Sequence, residues 1–393
     1  MTDGEKRTVR IAMIGYAFMG AAHSQAWRNV HRFFDLGVHP EMAVVVGRDG
    51  GKAAEAAQRL GWQSFATDWR EVIARDDIDV VDICTPGDTH AEIAIAALQA
   101  GKHVLCEKPL ANTVAEAEEM AAVAATARAD GALSMVGFSY RRVPAVALMR
   151  RMVADGAVGE IRHVRGQYMQ DWITDPDFPL VWRLRKEVAG SGALGDIGAH
   201  VLDMAQFVTG QRINGVAAQT ETFVRERPLP EGDGALGAAT SGGGGETGEV
   251  TVDDAAVLIA RTDGGALATF EATRFATGRK NHIVLEVNGS AGSLVFEFED
   301  MNGLRYYDAA AGDRAGFTRI DVTEPTHPYI DGWWPAGHGL GYEHTFVNQA
   351  RDFLEAIATG EDPSPSFEEG LAIQRLLTAV EQSAEQNAAW THI

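Results

Sequence analysis

The chain has 393 residues, of which 46% are hydrophobic and 23% are charged, as is typical of a globular protein of about two domains. Its net charge of −21 disfavours nucleic acid and anionic membrane surfaces as partners, because both require a basic patch. No apolar run reaches the length of about 18 residues that a membrane span needs. A small, mostly neutral ligand is favoured instead. The two cysteines, Cys84 and Cys106, are too few for a disulfide framework and predict packed, reduced thiols in the cytoplasm.

The first motif is a glycine turn between an apolar run and a helix-forming stretch. Residues 9–14 are apolar, and they are followed by Gly15-Tyr16-Ala17-Phe18-Met19-Gly20. In strand–turn–helix units, such a turn directs backbone N–H groups and the positive end of the helix toward a pyrophosphate. The spacing matches G-x-G-x-x-G, except that Ala17 replaces the middle glycine.

Strand-like and helix-like segments then alternate. The expected strands are 42–46, 78–83, 103–106 and 133–136, and the expected helices are 52–60, 89–100 and 113–128. Near-continuous Val and Ile runs between Ala-rich helices indicate a parallel sheet that is covered on both faces. We therefore predict a Rossmann dinucleotide-binding domain over residues 1–136.

The end of the second strand bears on the choice of cofactor. An acidic residue usually stands there to bind the adenosine ribose hydroxyls, but this sequence has Gly47-Arg48-Asp49. A missing acid followed by arginine suits a 2′-phosphate and favours NADP, while the adjacent Asp49 keeps NAD open. The alternative is that Arg48 is only a solvated surface charge.

Two further turns follow the third and fourth long strands of this sheet. One runs from Thr85-Pro86 to His90, and the other is Glu107-Lys108-Pro109. Loops at the carboxyl ends of such a sheet face the ligand. We therefore expect Lys108 near the nicotinamide, where its ammonium can hold a substrate hydroxyl and favour the alkoxide. The alternative is an ordinary surface lysine before a turn proline.

A glycine-rich segment from Ser191 to His200 sets Asp196 and His200 four residues apart. On a helix, this spacing puts both side chains on one face. A carboxylate beside an imidazole can offer a proton acceptor and its orienting partner to a bound substrate. The alternative is a helix that Asp196 caps at its N-terminus, with His200 facing solvent or filling a polar corner.

The pattern changes after residue 137 to successive alternating runs. The expected strands are 161–170, 216–224, 252–260, 266–273, 282–288 and 293–298, with helices over 144–154, 342–358 and 367–383. Such a series indicates an α+β domain with a large, open, mainly antiparallel sheet, which we assign to residues 137–393. The glycine-rich stretch 227–250 is expected to be a flexible loop between two strands. The aromatic stretch 326–344 either lines a sugar pocket or packs internally.

Taken together, the glycine turn, Glu107-Lys108-Pro109 and the segment 195–200 resemble the motifs of the glucose-fructose oxidoreductase and inositol dehydrogenase (Gfo/Idh/MocA) family. The resemblance covers essentially the whole chain. Further runs are most similar to its levoglucosan dehydrogenase branch: Gln170-Asp171-Trp172, Trp182-Arg183 and His327-Pro328-Tyr329. The resemblance implies a Rossmann domain followed by an open-sheet substrate domain, assembled as a homodimer or homotetramer.

The resemblance also implies NAD(P)-dependent oxidation, without a metal, of a secondary hydroxyl on a pyranose, an anhydrosugar such as levoglucosan, a glycoside or inositol. In the implied site, Lys108 orients the hydroxyl and His200, paired with Asp196, takes its proton. The cofactor contacts are expected at Gly15, Ala17, Phe18, Met19, Gly20, Arg48, Thr85, Pro86, His90, Glu107, Lys108, Trp182 and Arg183. The substrate contacts are expected at Lys108, Tyr140, Gln170, Asp196, His200 and His344.

Three alternatives stay open at this stage. A ketoreductase acting on a nucleotide-linked sugar would need a basic patch for the diphosphate, and the candidates for that patch are Arg141, Arg142, Arg183 and Arg185. A dinucleotide-binding sensor would keep the fold without catalysis. A metal site would draw on Asp196, His200 and His344.

Overall fold

A computed structural model describes residues 6–230 and 245–393 of the chain. The chain forms two compact units, Met1–Ser139 with Tyr342–Gln374, and Tyr140–Gly341 with Arg375–Ile393. The sequence-based division at residue 136 left 342–374 with the second domain, whereas this segment belongs to the first compact unit. It packs there through contacts such as the Arg351 guanidinium over the Phe34 ring, at 4.5 Å.

Seventeen strands and ten helices lie in the described residues. The strands are β1 (Arg7–Ile14), β2 (Val38–Val46), β3 (Ser64–Ala66), β4 (Val80–Ile83), β5 (His103–Cys106), β6 (Ser134–Val136), β7 (Ile161–Met169), β8 (Ile213–Glu221), β9 (Glu226–Pro228), β10 (Thr247–Glu249), β11 (Ala255–Thr262), β12 (Leu267–Thr273), β13 (His282–Gly289), β14 (Gly292–Glu297), β15 (Gly303–Asp308), β16 (Thr318–Asp321) and β17 (Thr391–His392). The helices are α1 (Phe18–Phe33), α2 (Gly50–Leu60), α3 (Trp69–Ile73), α4 (His90–Gln99), α5 (Val114–Ala129), α6 (Pro144–Ala154), α7 (Lys186–Ala189), α8 (Ala199–Thr209), α9 (Tyr342–Thr359) and α10 (Phe367–Glu385). None of these helices is long and apolar enough to cross a membrane.

The first unit contains a six-stranded sheet in the order β3-β2-β1-β4-β5-β6. All its pairs are parallel, which confirms the predicted Rossmann fold. The register aligns the last residues of five strands, Ile14, Val46, Ile83, Cys106 and Val136. The residues that follow them therefore lie along one edge of the sheet: Gly15, Gly47, Cys84, Glu107 and Gly137. This edge carries most of the candidate cofactor-binding residues.

The second unit contains a nine-stranded sheet in the order β16-β15-β14-β13-β7-β12-β11-β8-β17. Only β7 and β12 pair in parallel, so the predicted open, mainly antiparallel sheet is confirmed. Helices α6 and α8 pack on this sheet. Along β11, buried and exposed residues alternate, and the outward-facing side includes Val257 and Ile259, which are about half exposed.

The structure adds elements that the sequence did not predict. Short strands β3, β15, β16 and β17 and the short helices α3 and α7 lacked a clear periodic pattern. The expected glycine-rich loop is flanked by β9 and β10, which pair antiparallel. Its central residues, 231–244, lie outside the described part of the chain. The aromatic stretch before α9 forms turns.

Both cysteines are free and buried, as the sequence predicts for packed thiols. Cys84 directly follows β4, and Cys106 ends β5. Burial raises the pKa of the Cys84 thiol to about 12, so this thiol is protonated at neutral pH and is a poor nucleophile.

Candidate active site

The glycine turn lies between β1 and the start of α1. Gly15 has φ 99°, and a Cβ there would lie 2.7 Å from the Cys84 carbonyl oxygen. A Cβ on Gly20 would lie 2.3 Å from the carbonyl oxygen of Gly15. Ala17 precedes α1 without a side-chain cap, and the first turn of α1 carries no acidic residue. The backbone N–H groups at this helix end are therefore suited to an anion such as a pyrophosphate.

The turn after β2 explains why glycine replaces the usual acid there. A Cβ on Gly47 would lie 1.9 Å from Cε1 of Tyr16, so the tyrosine ring occupies that space. Arg48 is exposed. Asp49 accepts the backbone N–H of Lys52 at 3.0 Å and caps α2, and this hydrogen bond lowers the pKa of Asp49.

His90 ties together the two turns that were expected on the nicotinamide side. Its Nε2 lies 2.9 Å from the carbonyl oxygen of Thr85, and its Nδ1 lies 3.0 Å from that of Pro109. The imidazole is 2% exposed. With both ring nitrogens on backbone carbonyls, His90 fixes the position of the Lys108–Pro109 turn relative to the Thr85–Pro86 turn.

Glu107 is buried beneath the same turn. Its Oε2 accepts the backbone N–H of Lys108 at 3.3 Å, and its Oε1 lies 3.0 Å from Nε2 of His23. Lys108 itself is half-buried. The contact with His23 was not predicted, because this histidine belongs to none of the sequence motifs.

In the second unit, a π-helical turn over Leu194–Gly198 leads into α8. The N–H of Ala199 reaches the carbonyl of Leu194, five residues back. The carboxylate of Asp253 accepts the N–H groups of Gly192 and Leu194 at 2.7 and 2.8 Å. The cap of this helical segment is therefore Asp253, which rules out the alternative in which Asp196 is the N-cap. Such π-helical turns often occur at functional sites.

Asp196 lies near two guanidinium groups. Nε of Arg183 and Nη1 of Arg274 are each 3.9 Å from its Oδ2. Arg274 is fully buried, and its Nη2 donates to the carbonyl of Asp253 at 3.0 Å. Each guanidinium also lies over an indole ring, Arg183 over Trp182 and Arg274 over Trp172. Two positive charges therefore lie close to the Asp196 side chain.

The half-buried ring of His200 packs against two tyrosine rings, edge-on to Tyr140 and tilted relative to Tyr168. Its ring centroid is 4.6 Å from that of Tyr140 and 6.0 Å from that of Tyr168. The two tyrosine hydroxyls are 2.9 Å apart, and the Tyr168 hydroxyl donates to Oδ1 of Asn281 at 2.6 Å. The structure thus brings predicted Tyr140 beside predicted His200 and adds Tyr168 and Asn281 to the candidate site.

Trp172 fixes the orientation of the neighbouring amides. Its indole Nε1 can only donate, and it donates to Oε1 of Gln170 at 3.1 Å. Nε2 of Gln170 must then point the other way, where it donates to Oδ1 of Asn281 at 3.0 Å. That leaves the Asn281 amino group 3.4 Å from the Tyr140 hydroxyl. The indole N–H of Trp172 therefore sets which groups donate and which accept in the hydrogen bonds of Gln170 and Asn281.

The other predicted residues are distributed as follows. His344 lies in α9 of the first unit with its Nδ1 3.4 Å from Glu343 Oε1, and its contact with substrate stays a prediction. Arg141 donates to Asp203 at 2.8 Å, and both it and Arg142 are buried. In the described part of the chain, two side-chain groups have metal-like spacing, and neither contains Asp196, His200 or His344.

Sequence comparisons identify the family. Residues 9–138 match the oxidoreductase family with an NAD-binding Rossmann fold, and residues 146–295 match the Gfo/Idh/MocA C-terminal domain. The chain is 43% identical over 390 residues to levoglucosan dehydrogenase of Pseudarthrobacter phenanthrenivorans, covering 98% of each protein. The chain therefore belongs to the Gfo/Idh/MocA oxidoreductase family, as the motifs predict, and is an NAD-binding dehydrogenase of sugars or polyols.

Solved structures agree with this assignment. An oxidoreductase domain protein from Kribbella flavida is 61% identical, with a TM-score of 0.93 over 98% of this chain and 99% of that one. Levoglucosan dehydrogenase in complex with NADH and levoglucosan is 41% identical, with a TM-score of 0.91 over the same shares. The similarity thus extends over both compact units.

Proposed function

We propose that this protein oxidises a secondary hydroxyl of an anhydrosugar of the levoglucosan type to the ketone, with NAD⁺ as the hydride acceptor. The observation that carries this proposal is the cluster of His200, Tyr140, Gln170 and Asn281, whose hydrogen-bonding groups suit a neutral polyhydroxylated ring. The 43% identity to a levoglucosan dehydrogenase supports the same substrate class. Other pyranoses, glycosides and inositol are the competing substrates of this reaction.

Three side chains carry the proposed chemistry. Bound NAD⁺ would supply the acceptor for the hydride of the carbinol carbon. His200 accepts the hydroxyl proton, and the carboxylate of Asp196 stabilises the resulting imidazolium. The Lys108 ammonium holds the substrate oxygen and stabilises the alkoxide character that develops on it. The reaction converts a secondary alcohol and NAD⁺ into a ketone, NADH and one proton.

Residues of the first unit fit the dinucleotide. The N-terminus of α1 with Gly15, Ala17 and Gly20 would hold the pyrophosphate, and the turns at Thr85 and Lys108 would line the nicotinamide side. We propose NAD rather than NADP, because the Asp49 carboxylate next to Arg48 would repel a 2′-phosphate and related structures contain NADH. The sequence-based expectation of NADP from Arg48 makes the opposite prediction, and a comparison of kcat/KM for the two cofactors decides between them.

A nucleotide-linked sugar is a poorer substrate for this site. Its diphosphate would need accessible cations, but Arg141 is paired with Asp203 in the interior and Arg142 is also buried. Arg183 lies beside Asp196. Three of the four candidate arginines therefore do not offer the accessible charge that this alternative requires. The fourth, Arg185, is half-buried and does not by itself form a basic patch.

We also propose a homo-oligomer formed through the nine-stranded sheet. Val257, Ile259 and Leu267 are exposed on β11 and β12, and neighbouring apolar side chains on an exposed sheet face are typical of an interface. Light scattering of the purified protein should give at least twice the monomer mass of 42.2 kDa. A purely monomeric protein would contradict this part of the proposal.

The function is tested by a substrate screen that follows reduced nicotinamide by absorbance. Levoglucosan, inositol, glucose and a methyl glycoside are each offered with NAD⁺ and with NADP⁺. We expect the highest kcat/KM with levoglucosan and NAD⁺. A clear preference for inositol would move the protein to another substrate class, and no turnover with any polyol would favour the non-catalytic sensor.

A further inference from the structure

A histidine of α1 is enclosed in the first unit with both ring nitrogens on carboxylates. Nδ1 of His23 is 2.9 and 3.0 Å from the two carboxylate oxygens of Asp82, and Nε2 is 3.0 Å from Oε1 of Glu107. His23 is 1% exposed, Asp82 0% and Glu107 4%. These three buried ionisable groups lie next to the turn that holds Lys108. Buried ionisable groups of this kind cluster at functional sites.

The hydrogen bonds around His23 limit where the protons of this group can lie. An ionised carboxylate only accepts, so an imidazole between two carboxylates satisfies both contacts only with two N–H groups or with one protonated carboxyl. Asp82 also accepts the indole N–H of Trp27 at 2.7 Å and the thiol of Cys84 at 3.6 Å. Glu107 accepts the N–H of Lys108 on its second oxygen. Because both carboxylates already act as acceptors, this arrangement favours the additional proton on His23, as an imidazolium, over a proton on Oε1 of Glu107.

The electrostatics agree with this assignment. Burial acts to lower the pKa of His23, but the charge of Asp82 outweighs it and holds the pKa well above 6.5. The titratable groups that face the ring are Asp82 and Cys84 at the end of β4 and Glu107 after β5. Helices α1 and α9 contribute Trp27 and Phe346, which do not titrate.

The same contacts restrict the Glu107 side chain. Its Oε1 is hydrogen-bonded to His23, and its Oε2 accepts the backbone N–H of Lys108. Toward β6, even a methyl group on Gly137 would approach Oε1 to 2.6 Å. Glu107 therefore connects His23 to the backbone of Lys108 with little freedom to adopt another position.

We propose that His23 is a positioning residue of this dehydrogenase: as an imidazolium, it fixes the carboxylate of Glu107 and, through it, the backbone of Lys108. This inference rests on the role in substrate orientation proposed above for Lys108. His23 itself contacts no reacting atom. Loss of the His23 side chain slows the reaction because it releases the turn that carries Lys108.

A cation in place of the proton fits the group less well. His23, Asp82 and Cys84 are spaced closely enough to share a metal ion. However, the Asp82 oxygens already accept from Trp27 and His23, and the second nitrogen of His23 points away toward Glu107. A metal at Nδ1 would therefore displace these hydrogen bonds.

The test is a double-mutant cycle with His23→Gln, Glu107→Gln and the double variant. Misplacement of a catalytic group by about 1 Å costs on the order of 100-fold, so we expect His23→Gln to lower kcat by roughly 10- to 100-fold, with a smaller change in KM for NAD⁺. If His23 acts through Glu107, the double variant should be no slower than Glu107→Gln alone. Multiplying effects on kcat, or a wild-type kcat in folded His23→Gln, would overturn the proposal.

His103→Gln is the matched control, because His103 stands at the opposite end of β5 and accepts the N–H of Leu133 at 3.0 Å. This variant should lose stability and keep its kcat. If His23→Gln does not fold, Asp82→Asn decides instead: it removes the charge that raises the pKa of His23, so kcat should fall with rising pH at a lower pH than in the wild type. An unchanged alkaline limb of the kcat profile would overturn the proposal.

Failure of the proposed function gives a different result. If Lys108→Met leaves turnover unchanged, Lys108 has no catalytic role, and the function assigned to it fails whatever His23 does. If Lys108→Met is slow but the His23 and Glu107 effects multiply, the reaction assignment stands and only the positioning role is lost. The turnover rate of Lys108→Met therefore distinguishes the two outcomes.

Discussion

At the scale of single residues, the site in the second unit depends on groups that orient or charge-balance the predicted ones. The sequence indicated Asp196 and His200 through their spacing within a glycine-rich segment. It gave no sign of Arg274, which is a lone arginine after β12, or of Asn281, which precedes β13. Both reach the site because strands far apart in sequence are neighbours in the sheet, and a local motif carries no signal of that pairing.

Replacing Trp172 by Phe should weaken sugar binding, although an aromatic ring remains at this position. Without the indole N–H, the Gln170 amide is free to rotate, and the fixed polarity at Asn281 is lost. A hydrogen bond is worth about 1 kcal/mol, so KM for the sugar should rise by roughly fivefold with a smaller change in kcat. Trp62→Phe is the control, because it removes a comparable indole hydrogen bond to Ser24 in the first unit. Equal KM values for the two variants would contradict this role.

His103 should make the protein less stable in acid. Burial lowers its pKa to about 4, whereas an unfolded histidine titrates near 6.5. The unfolded chain therefore binds the extra proton first, and the stability that His103 contributes above about pH 6.5 is lost as the pH falls toward 4. The midpoint of thermal unfolding should fall between pH 7 and pH 4.5 by less in His103→Gln than in the wild type. Identical pH dependence in both proteins would argue against this assignment.

At the scale of elements, the π-helical turn before α8 shows what a local pattern can and cannot predict. The four-residue spacing correctly indicated that Asp196 and His200 lie on one helical segment. The π-helical form was not predictable from the spacing. The carboxylate of Asp253, a residue outside the motif, accepts the N–H groups of Gly192 and Leu194 at the start of this turn. Gly192 is required at this point, since a Cβ there would lie 1.7 Å from the Asp253 carbonyl oxygen.

Replacing Asp253 by Ala should therefore affect both stability and activity. Loss of a side-chain cap costs about 1–2 kcal/mol, and release of the turn should also displace Asp196 and lower kcat by roughly tenfold or more. Asp68→Ala is the matched control, because Asp68 caps α3 in the first unit by accepting the N–H of Arg70 at 2.8 Å. We expect this control to unfold earlier but to keep its kcat. Similar kcat values for both variants would show that the turn is only structural.

At the scale of the whole molecule, the sequence predicted the order of the two sheets and the family. The alternating Val-rich strands and Ala-rich helices of the first 136 residues were sufficient for the Rossmann topology, because such runs fit only a sheet buried on both faces. The return of Tyr342–Gln374 to the first compact unit was not predictable from local pattern. An amphipathic helix shows that it has an apolar face but not which surface covers that face.

We propose that Lys108 and His200 together promote oxidation of a sugar hydroxyl by NAD⁺: His200 accepts the hydroxyl proton, and Lys108 stabilises the developing alkoxide. The most direct test of this proposal measures kcat for levoglucosan oxidation and the dissociation constant of NADH for wild type, Lys108→Met and His200→Asn. We expect each variant to lose roughly 100-fold or more in kcat, the usual contribution of an acid-base or oxyanion-stabilising group, while NADH binds with nearly wild-type affinity. Turnover close to the wild-type rate in both variants would contradict it.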